Sequence, residues 1–169
     1  MKSISRLITL PVLLTLTACG FSPIYGNYNR SDSVAVERSI ASVEISIIPN
    51  KEGQYLRNEL IDRFYQNGYP SNPKYILTVQ RVEEYKSNLD ITKSSDATRA
   101  QLKLTTAMTL TNPETGEILI KRPMRAITSY NILSSQFTTR VSEEDARKAA
   151  LNELANQIET HIALYFNKQ

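Results

Sequence analysis

The 169-residue chain holds one cysteine, one histidine and five glycines, and each scarcity removes a class of chemistry. A single cysteine forbids an intrachain disulfide, and with one histidine beside it there is no His/Cys cluster for zinc. The glycines, at 20, 26, 53, 68 and 116, lack phosphate-loop spacing. Charge of one sign is also scarce. Lys and Arg total 20 against 17 Asp and Glu, and the formal +3 falls to +1 if Lys2 and Arg6 leave with the N-terminal segment described below. A nucleic-acid binder wants a concentrated basic excess, so no nucleic-acid partner is expected. Beyond residue 16, no hydrophobic run approaches the roughly 20 residues that span a bilayer as a helix. What remains, 41% hydrophobic and 22% charged, suits one ordinary globular domain.

The N-terminus carries the strongest positive signal. Lys2 and Arg6 precede a ten-residue, mostly apolar stretch at 7–16 (LITLPVLLTL), too short for a stable membrane span and of the length of a secretory signal. Leu16-Thr17-Ala18-Cys19 resembles the lipobox of bacterial lipoproteins, an aliphatic residue and two small ones before cysteine. A cysteine thiolate can take a diacylglyceryl group as a thioether, and small residues before it let a peptidase reach the backbone. The resemblance implies cleavage after residue 18 and a third, palmitate-type chain on the freed amine of Cys19. Each buried methylene contributes about 0.8 kcal/mol, so two chains already anchor stably. Gly20, rather than an aspartate, follows Cys19, which by lipoprotein sorting rules implies passage to the outer membrane. The expected organisation is a signal peptide at 1–18, an acylated N-terminus and tether at 19–42, and a single domain at 43–169.

Within the domain, Val43, Ile45 and Ile47 alternate with polar residues as a half-buried strand that stops at Pro49-Asn50. Tyr55, Leu56, Leu60, Ile61 and Phe64 share a helical face that ends before Gly68 and Pro70. A second strand starts near Lys74, with a bulge expected near Arg81 because Val82 breaks the parity of Tyr75, Leu77 and Val79. The polar stretch 86–98 (KSNLDITKSSDAT) reads as a hairpin connection. Ala100, Leu102, Leu104, Thr106, Met108 and Leu110 then alternate as a third strand, and 117–130 returns as a fourth after the turn at 112–116. Setting Thr111 opposite Glu117 matches Leu110 with Ile118, Met108 with Ile120, Leu104 with Met124 and Leu102 with Ala126 on one face. Pro123 belongs on an edge or at a bulge. A last helix is expected over 142–166, N-capped by Ser142, with Ala146, Ala150, Leu154, Ile158, Ile162 and Tyr165 down one side. The expected fold class is α+β: a two-layer sandwich of a four-stranded mixed sheet with two helices on one face, in the order β-α-β-β-β-α. The strand–helix–strand start favours a parallel crossover.

Catalytic constellations are scarce. His161 lacks a nucleophile and an orienting partner and reads as a residue beside the last helix's apolar stripe. Glu83 and Glu84 are neighbours, so on a strand they point to opposite faces and cannot pair as acid and base. The run Glu143-Glu144-Asp145 reads as helix-end electrostatics. The chain is expected to be no enzyme, with no metal site and no cofactor beyond lipid on Cys19. One surface is chemically suggestive. The proposed register sets Lys103 opposite Arg125, with Lys121 on the same face among Thr105, Thr109 and Thr111. Like charges facing across strands destabilise unless an anion bridges them, and these three could hold anionic groups.

The segment Cys19-Gly20-Phe21-Ser22-Pro23-Ile24-Tyr25-Gly26 resembles the start of mature LptE-type lipopolysaccharide-assembly lipoproteins, in which Cys-Gly-Phe precedes a Pro, an aliphatic residue, Tyr and Gly. The expected element order is similar to that family's fold. The resemblance implies a lipid-anchored protein on the periplasmic side of the outer membrane, plugged into an LptD-type β-barrel, assisting its assembly and lipopolysaccharide delivery. Cys19 alone matches a family functional position. Lys103, Lys121 and Arg125, as contacts for anionic lipopolysaccharide groups, rest on the physical reading only. Two other classes stay open: an auxiliary lipoprotein of an envelope lipid ABC transporter, and a lipoprotein hydrolase using a carboxylate.

Overall fold

The structure, a computed structural model, describes residues 30–66, 68–91 and 97–168. The signal segment, Cys19 and the tether as far as residue 29 lie outside the described residues. Within the described part of that tether the expectation needs correcting, because Arg30–Ala41 is a helix, α1. Its apolar residues are few, yet Val36 and Ile40 stand one turn apart and pack against the core.

Strand β1 (Val43–Ile45) is shorter than the alternation suggested. Ile47 is 83% exposed while Ile48 is buried, so the chain turns over between them and Ile48 replaces Ile47 in the core. Pro49 then caps helix α2 (Asn50–Phe64) with extended backbone. Asn50 has a φ of 70°, a conformation asparagine tolerates through local side-chain bonds. Its Oδ1 accepts the Gly53 N–H at 2.8 Å and its Nδ2 donates to the Val82 carbonyl at 3.0 Å, tying the helix start to the sheet. Leu56, Leu60 and Phe64 form the buried side of α2, with Tyr55 and Ile61 on its flanks, as the spacing predicts. Burying such a side chain fully contributes about 1.5–3 kcal/mol.

Among the described residues the sheet has five strands: β1, β2 (Tyr75–Val79), β3 (Glu83–Ile91), β4 (Ala97–Thr111) and β5 (Ile118–Asn131). β1 and β2 are parallel, and the remaining pairings are antiparallel, so the sheet is mixed. β2 and β3 lie end to end along one side of β4. Val79 pairs with Met108 and Glu83 with Thr105, so three residues on one side oppose two on the other. This is the bulge expected near Arg81; it lets Val79 and Val82 both face the core. The stretch read as a hairpin connection is instead mostly strand, since β3 runs to Ile91 and β4 starts at Ala97. Polar composition concealed β3 because only its pairing with β4, not a hydrophobic face, holds much of it in place.

Ala100, Leu102, Leu104, Met108 and Leu110 are buried, as the alternation requires. The register with β5 differs from expectation by two residues. Asn112 and Glu117 close the turn, with the Asn112 N–H donating to the Glu117 carbonyl at 3.0 Å, which shifts pairing by one. Leu119 is an extra residue on β5, because Thr111 pairs with Ile118 but Leu110 with Ile120. The two single shifts add, so Leu104 faces Ala126 and Leu102 faces Thr128. A net shift of one would have turned the apolar side outward; a shift of two preserves the parity.

Helix α3 (Gln136–Phe166) starts well before Ser142. Ser135 is its N-cap, and hydroxyl bonds from Thr138 and Thr139 to the Ser135 carbonyl consolidate the first turn. Ser142, Glu143, Glu144 and Asp145 therefore lie inside the helix. Ala146, Ala150, Leu154, Ile158 and Ile162 are buried along one side, joined by Leu151, Ala155 and Phe166, while Tyr165 is half-buried. α3 packs on β4 and β5, and α2 packs on β1 and on α3. The α+β class and the helix-on-sheet layering hold, with three helices and one divided strand among the described residues in place of two helices and four strands.

The sheet edges at β1 and β5 differ. At β1 the Tyr65 hydroxyl donates to the Val43 carbonyl at 2.8 Å and accepts the Ile45 N–H at 3.0 Å, covering the strand's outer backbone groups. Burial pushes the Tyr65 phenol above its ordinary value. Among the described residues β5 pairs only with β4, so its other side is an edge, which explains how Pro123 is accommodated.

Candidate functional site

Alternation places odd-numbered residues of β4 and β5 on the sheet face opposite the buried one. Thr105, Thr109 and Thr111 stand there half-buried, with Lys121, Pro123, Arg125 and Ile127 exposed on β5. No described element packs over this face. It therefore presents hydroxyls and cations rather than a second core.

The structure keeps Lys103, Lys121 and Arg125 on that face but separates the pair expected to confront each other. Lys103 is opposite Ile127, Arg125 opposite Thr105, and Lys121 opposite Thr109. The cause is the two-residue register difference created by the turn and the extra Leu119. On its other side Lys103 faces Tyr85, and its Nζ lies 4.9 Å from that ring's centre. A cation over an aromatic ring gains about 0.5–1 kcal/mol at an exposed site. Lys103 thus has a partner within the fold, whereas Lys121 and Arg125 have no carboxylate partner among the described residues. The three cations are spread along the face instead of converging on one point.

The acidic run has a different role from the one its sequence suggested. Arg147 donates Nε and Nη2 to the two oxygens of Glu84 at 2.7 and 3.1 Å, and also bonds Glu143 and Glu144 from the helix turn before it. Lys86 Nζ bridges Glu143 at 2.6 Å and Glu84 at 3.2 Å. The Tyr130 hydroxyl reaches Glu143 at 3.3 Å. Charge from β3 is thereby locked to α3. The Arg147 bond holds the Glu84 carboxyl below its ordinary value, against an opposing push from burial. Burial pushes Glu143 up, but bonds from Lys86 and Arg147 outweigh it and leave that carboxyl lowered too. Two carboxylates kept ionised make a clamp, not a proton donor near neutrality.

Glu84 takes part because it turns toward α3 while Glu83 turns away, as strand geometry requires. No signal in the sequence paired it with Arg147, which lies 63 residues further on. His161 stands half-buried beside Ile162, as read from the helix pattern. Among the described residues no group of three His, Cys, Asp or Glu could hold a metal, and no helix is long and apolar enough to cross a membrane.

Comparison with known proteins sets this architecture in a lineage. Solved structures share the fold at low sequence identity. A protein of Caulobacter crescentus CB15 solved as a candidate lipoprotein matches with a TM-score of 0.64 and 17% identity, over 80% of this chain and 98% of that one. The rare lipoprotein B of Shewanella oneidensis matches at 0.57 and 12% identity, over 72% and 93%. A minor lipoprotein of Acinetobacter baumannii matches at 0.54 and 21% identity, over 72% and 90%. No curated protein sequence matches. A family model described as LptE, lipopolysaccharide-assembly, matches residues 40–162, from the end of α1 to near the end of α3. With most of the folded domain inside that match, the chain belongs to the LptE lipopolysaccharide-assembly family.

Proposed function

We propose that this protein is an outer-membrane lipoprotein, anchored through acyl chains on Cys19, that seats its domain in the lumen of an LptD-type β-barrel and supports both barrel assembly and lipopolysaccharide delivery. The family match over residues 40–162 carries the reading. The sheet face supports it, because the lumen of an outer-membrane barrel is polar and a threonine-rich, cation-bearing surface suits such a lining. In this reading the acyl chains hold the protein to the inner leaflet, the segment before α1 gives it reach, and the domain fills the lumen. The domain acts by occupancy and contact and has no catalytic step. Lys103, Lys121 and Arg125 supply separate cationic contacts for anionic groups of lipopolysaccharide.

The runner-up is an auxiliary lipoprotein of an envelope lipid ABC transporter, also a tethered α+β domain. Crosslinking followed by affinity purification of the full acylated chain from membranes separates the two. The expected largest neighbour is an outer-membrane β-barrel. An inner-membrane ATPase complex in its place would overturn the barrel assignment.

A further inference from the structure

Helix α1 joins the segment before the domain to strand β1, and its hold on the fold is slight. We infer that α1 is a releasable strap, which peels away while the rest of the domain stays folded and so lengthens the tether to the lipid on Cys19. The inference rests on the anchor proposed above but not on the identity of the barrel.

The sequence RSDSVAVERSIA makes a weak helix. Its 12 residues are marginal for a helix standing alone in water. Ser31, Ser33, Ser39 and Asp32 are residue types that compete with a helix for backbone hydrogen bonds, and Val34, Val36 and Ile40 are types that lose side-chain freedom in one. The Ser39 hydroxyl donates back to the Ala35 carbonyl at 3.0 Å, a bond made within the helix and not to a neighbour. Tertiary packing must therefore hold α1, and it offers little. Val36 and Ile40 reach the core half-buried, whereas α2 buries Leu56, Leu60 and Phe64 almost completely. Among the described residues no ion pair joins α1 to another element. A cleft of about 170 Å³ separates Glu37 of α1 from Phe64 of α2 and Glu159 of α3. Arg63, at the same cleft, is engaged by Glu59 and Glu159 instead of Glu37.

The fold takes firm hold one residue past the helix. The Ser42 carbonyl accepts the Lys74 N–H at 3.0 Å, and Val43 is fully buried in β1. Release of α1 thus breaks its own backbone bonds, its closing turn and the contacts of two half-buried side chains, and leaves β1 in place. The 12 residues rise about 18 Å as a helix and reach about 40 Å when extended. The added reach, about 22 Å, is close to the roughly 25 Å apolar band of an outer-membrane barrel. As a slack coil the same residues average about 19 Å end to end, so release adds length only when the tether is drawn out.

Hydrogen exchange on the full acylated chain in neutral alkyl-maltoside micelles reads release directly. Amides from Val36 to Ala41 should exchange at least about 100-fold faster than those from Leu56 to Phe64. Val36→Pro should abolish the remaining protection of α1 and leave exchange in α2 and the sheet within about twofold of the parent. S31A/S33A/S39A favours the helix and should slow α1 exchange roughly five- to tenfold. In outer membranes the same triple variant should weaken photo-crosslinked capture from Thr109 by up to that factor, and 12 Gly/Ser residues inserted after position 29 should restore it. Capture is read on whichever protein is the largest neighbour, so a neighbour other than a barrel would bear on the barrel assignment alone. Protection of α1 equal to that of α2, spread of the V36P effect into the sheet, or capture unaltered by the triple variant would each overturn the strap. So would weakened capture that the insertion fails to restore.

Discussion

Replacing Arg147 with Met should weaken the domain most near neutral pH and least in acid. In the folded state Arg147 keeps 13% side-chain exposure and satisfies three carboxylates, those of Glu84 and Glu143 at 22% and Glu144 at 37%. Breaking a fully buried pair costs about 3–5 kcal/mol, whereas exposed pairs contribute about 0–1. Partial exposure places this cluster between, so R147M should cost about 2 kcal/mol at pH 7. Methionine keeps much of the apolar stem, which leaves the lost charge as the main change. The sign with pH follows from linkage. Glu84 and Glu143 titrate below their unfolded value in the folded parent, so their contribution is present above the unfolded carboxyl value near 4.3 and is lost as pH falls through the folded values. Urea denaturation of parent and variant between pH 7 and pH 3 measures the difference. It should shrink steadily on acidification and also narrow in high salt. An equal difference at both ends would show that Arg147 acts through packing, and the clamp account would fail.

Other perturbations probe separate parts. Tyr65→Phe removes one oxygen and orphans the Val43 carbonyl and Ile45 N–H, so denaturation should show a loss of about 2–3 kcal/mol and faster amide exchange at Ile45; an unchanged midpoint would refute the edge-capping role. Gly53→Ala would place a methyl 2.7 Å from the Ile48 Cγ2 and 3.0 Å from its carbonyl carbon, and because Ile48 is buried the steric cost should exceed the gain of about 1 kcal/mol in helix propensity. A raised melting temperature would contradict that reasoning. Removing Lys103, Lys121 and Arg125 together should weaken lipopolysaccharide binding in a salt-dependent manner, and unchanged binding would dispose of the basic contacts without touching the plug. Mass spectrometry of the mature chain should find Cys19 at the N-terminus carrying thioether-linked lipid; a bare thiol would remove the membrane anchor.

Patterns of period two and period 3.6 made β4, α2 and the buried side of α3 legible, because Leu102, Leu104, Leu56 and Ile158 report burial directly. β3 was hidden by its polar composition, since a strand paired with β4 at the domain margin needs few apolar residues. α1 was hidden by charge, with only Val36 and Ile40 to report contact. The start of α3 was misplaced because Ser142 with acids after it imitates a helix cap, while the actual first turn relies on Thr138 and Thr139. The basic face was legible as a face but not as a geometry. Its opposition depended on the turn and on Leu119, and two one-residue shifts moved Lys103 from Arg125 to Ile127. The groove between the β5 edge and the last turns of α3 has one trace in sequence, Arg122 at an apolar position, but its other wall comes from α3, about 40 residues away, which patterning within a strand cannot bring near.

The barrel assignment is tested most directly by placing a photo-crosslinking residue at Thr109 and, separately, at Arg125 in the full acylated chain within outer membranes, then mapping the captured peptides. The account predicts adducts to lumen-facing residues of an LptD-type barrel. Adducts from both positions to an inner-membrane transporter, or only to the outside of a barrel, would contradict it.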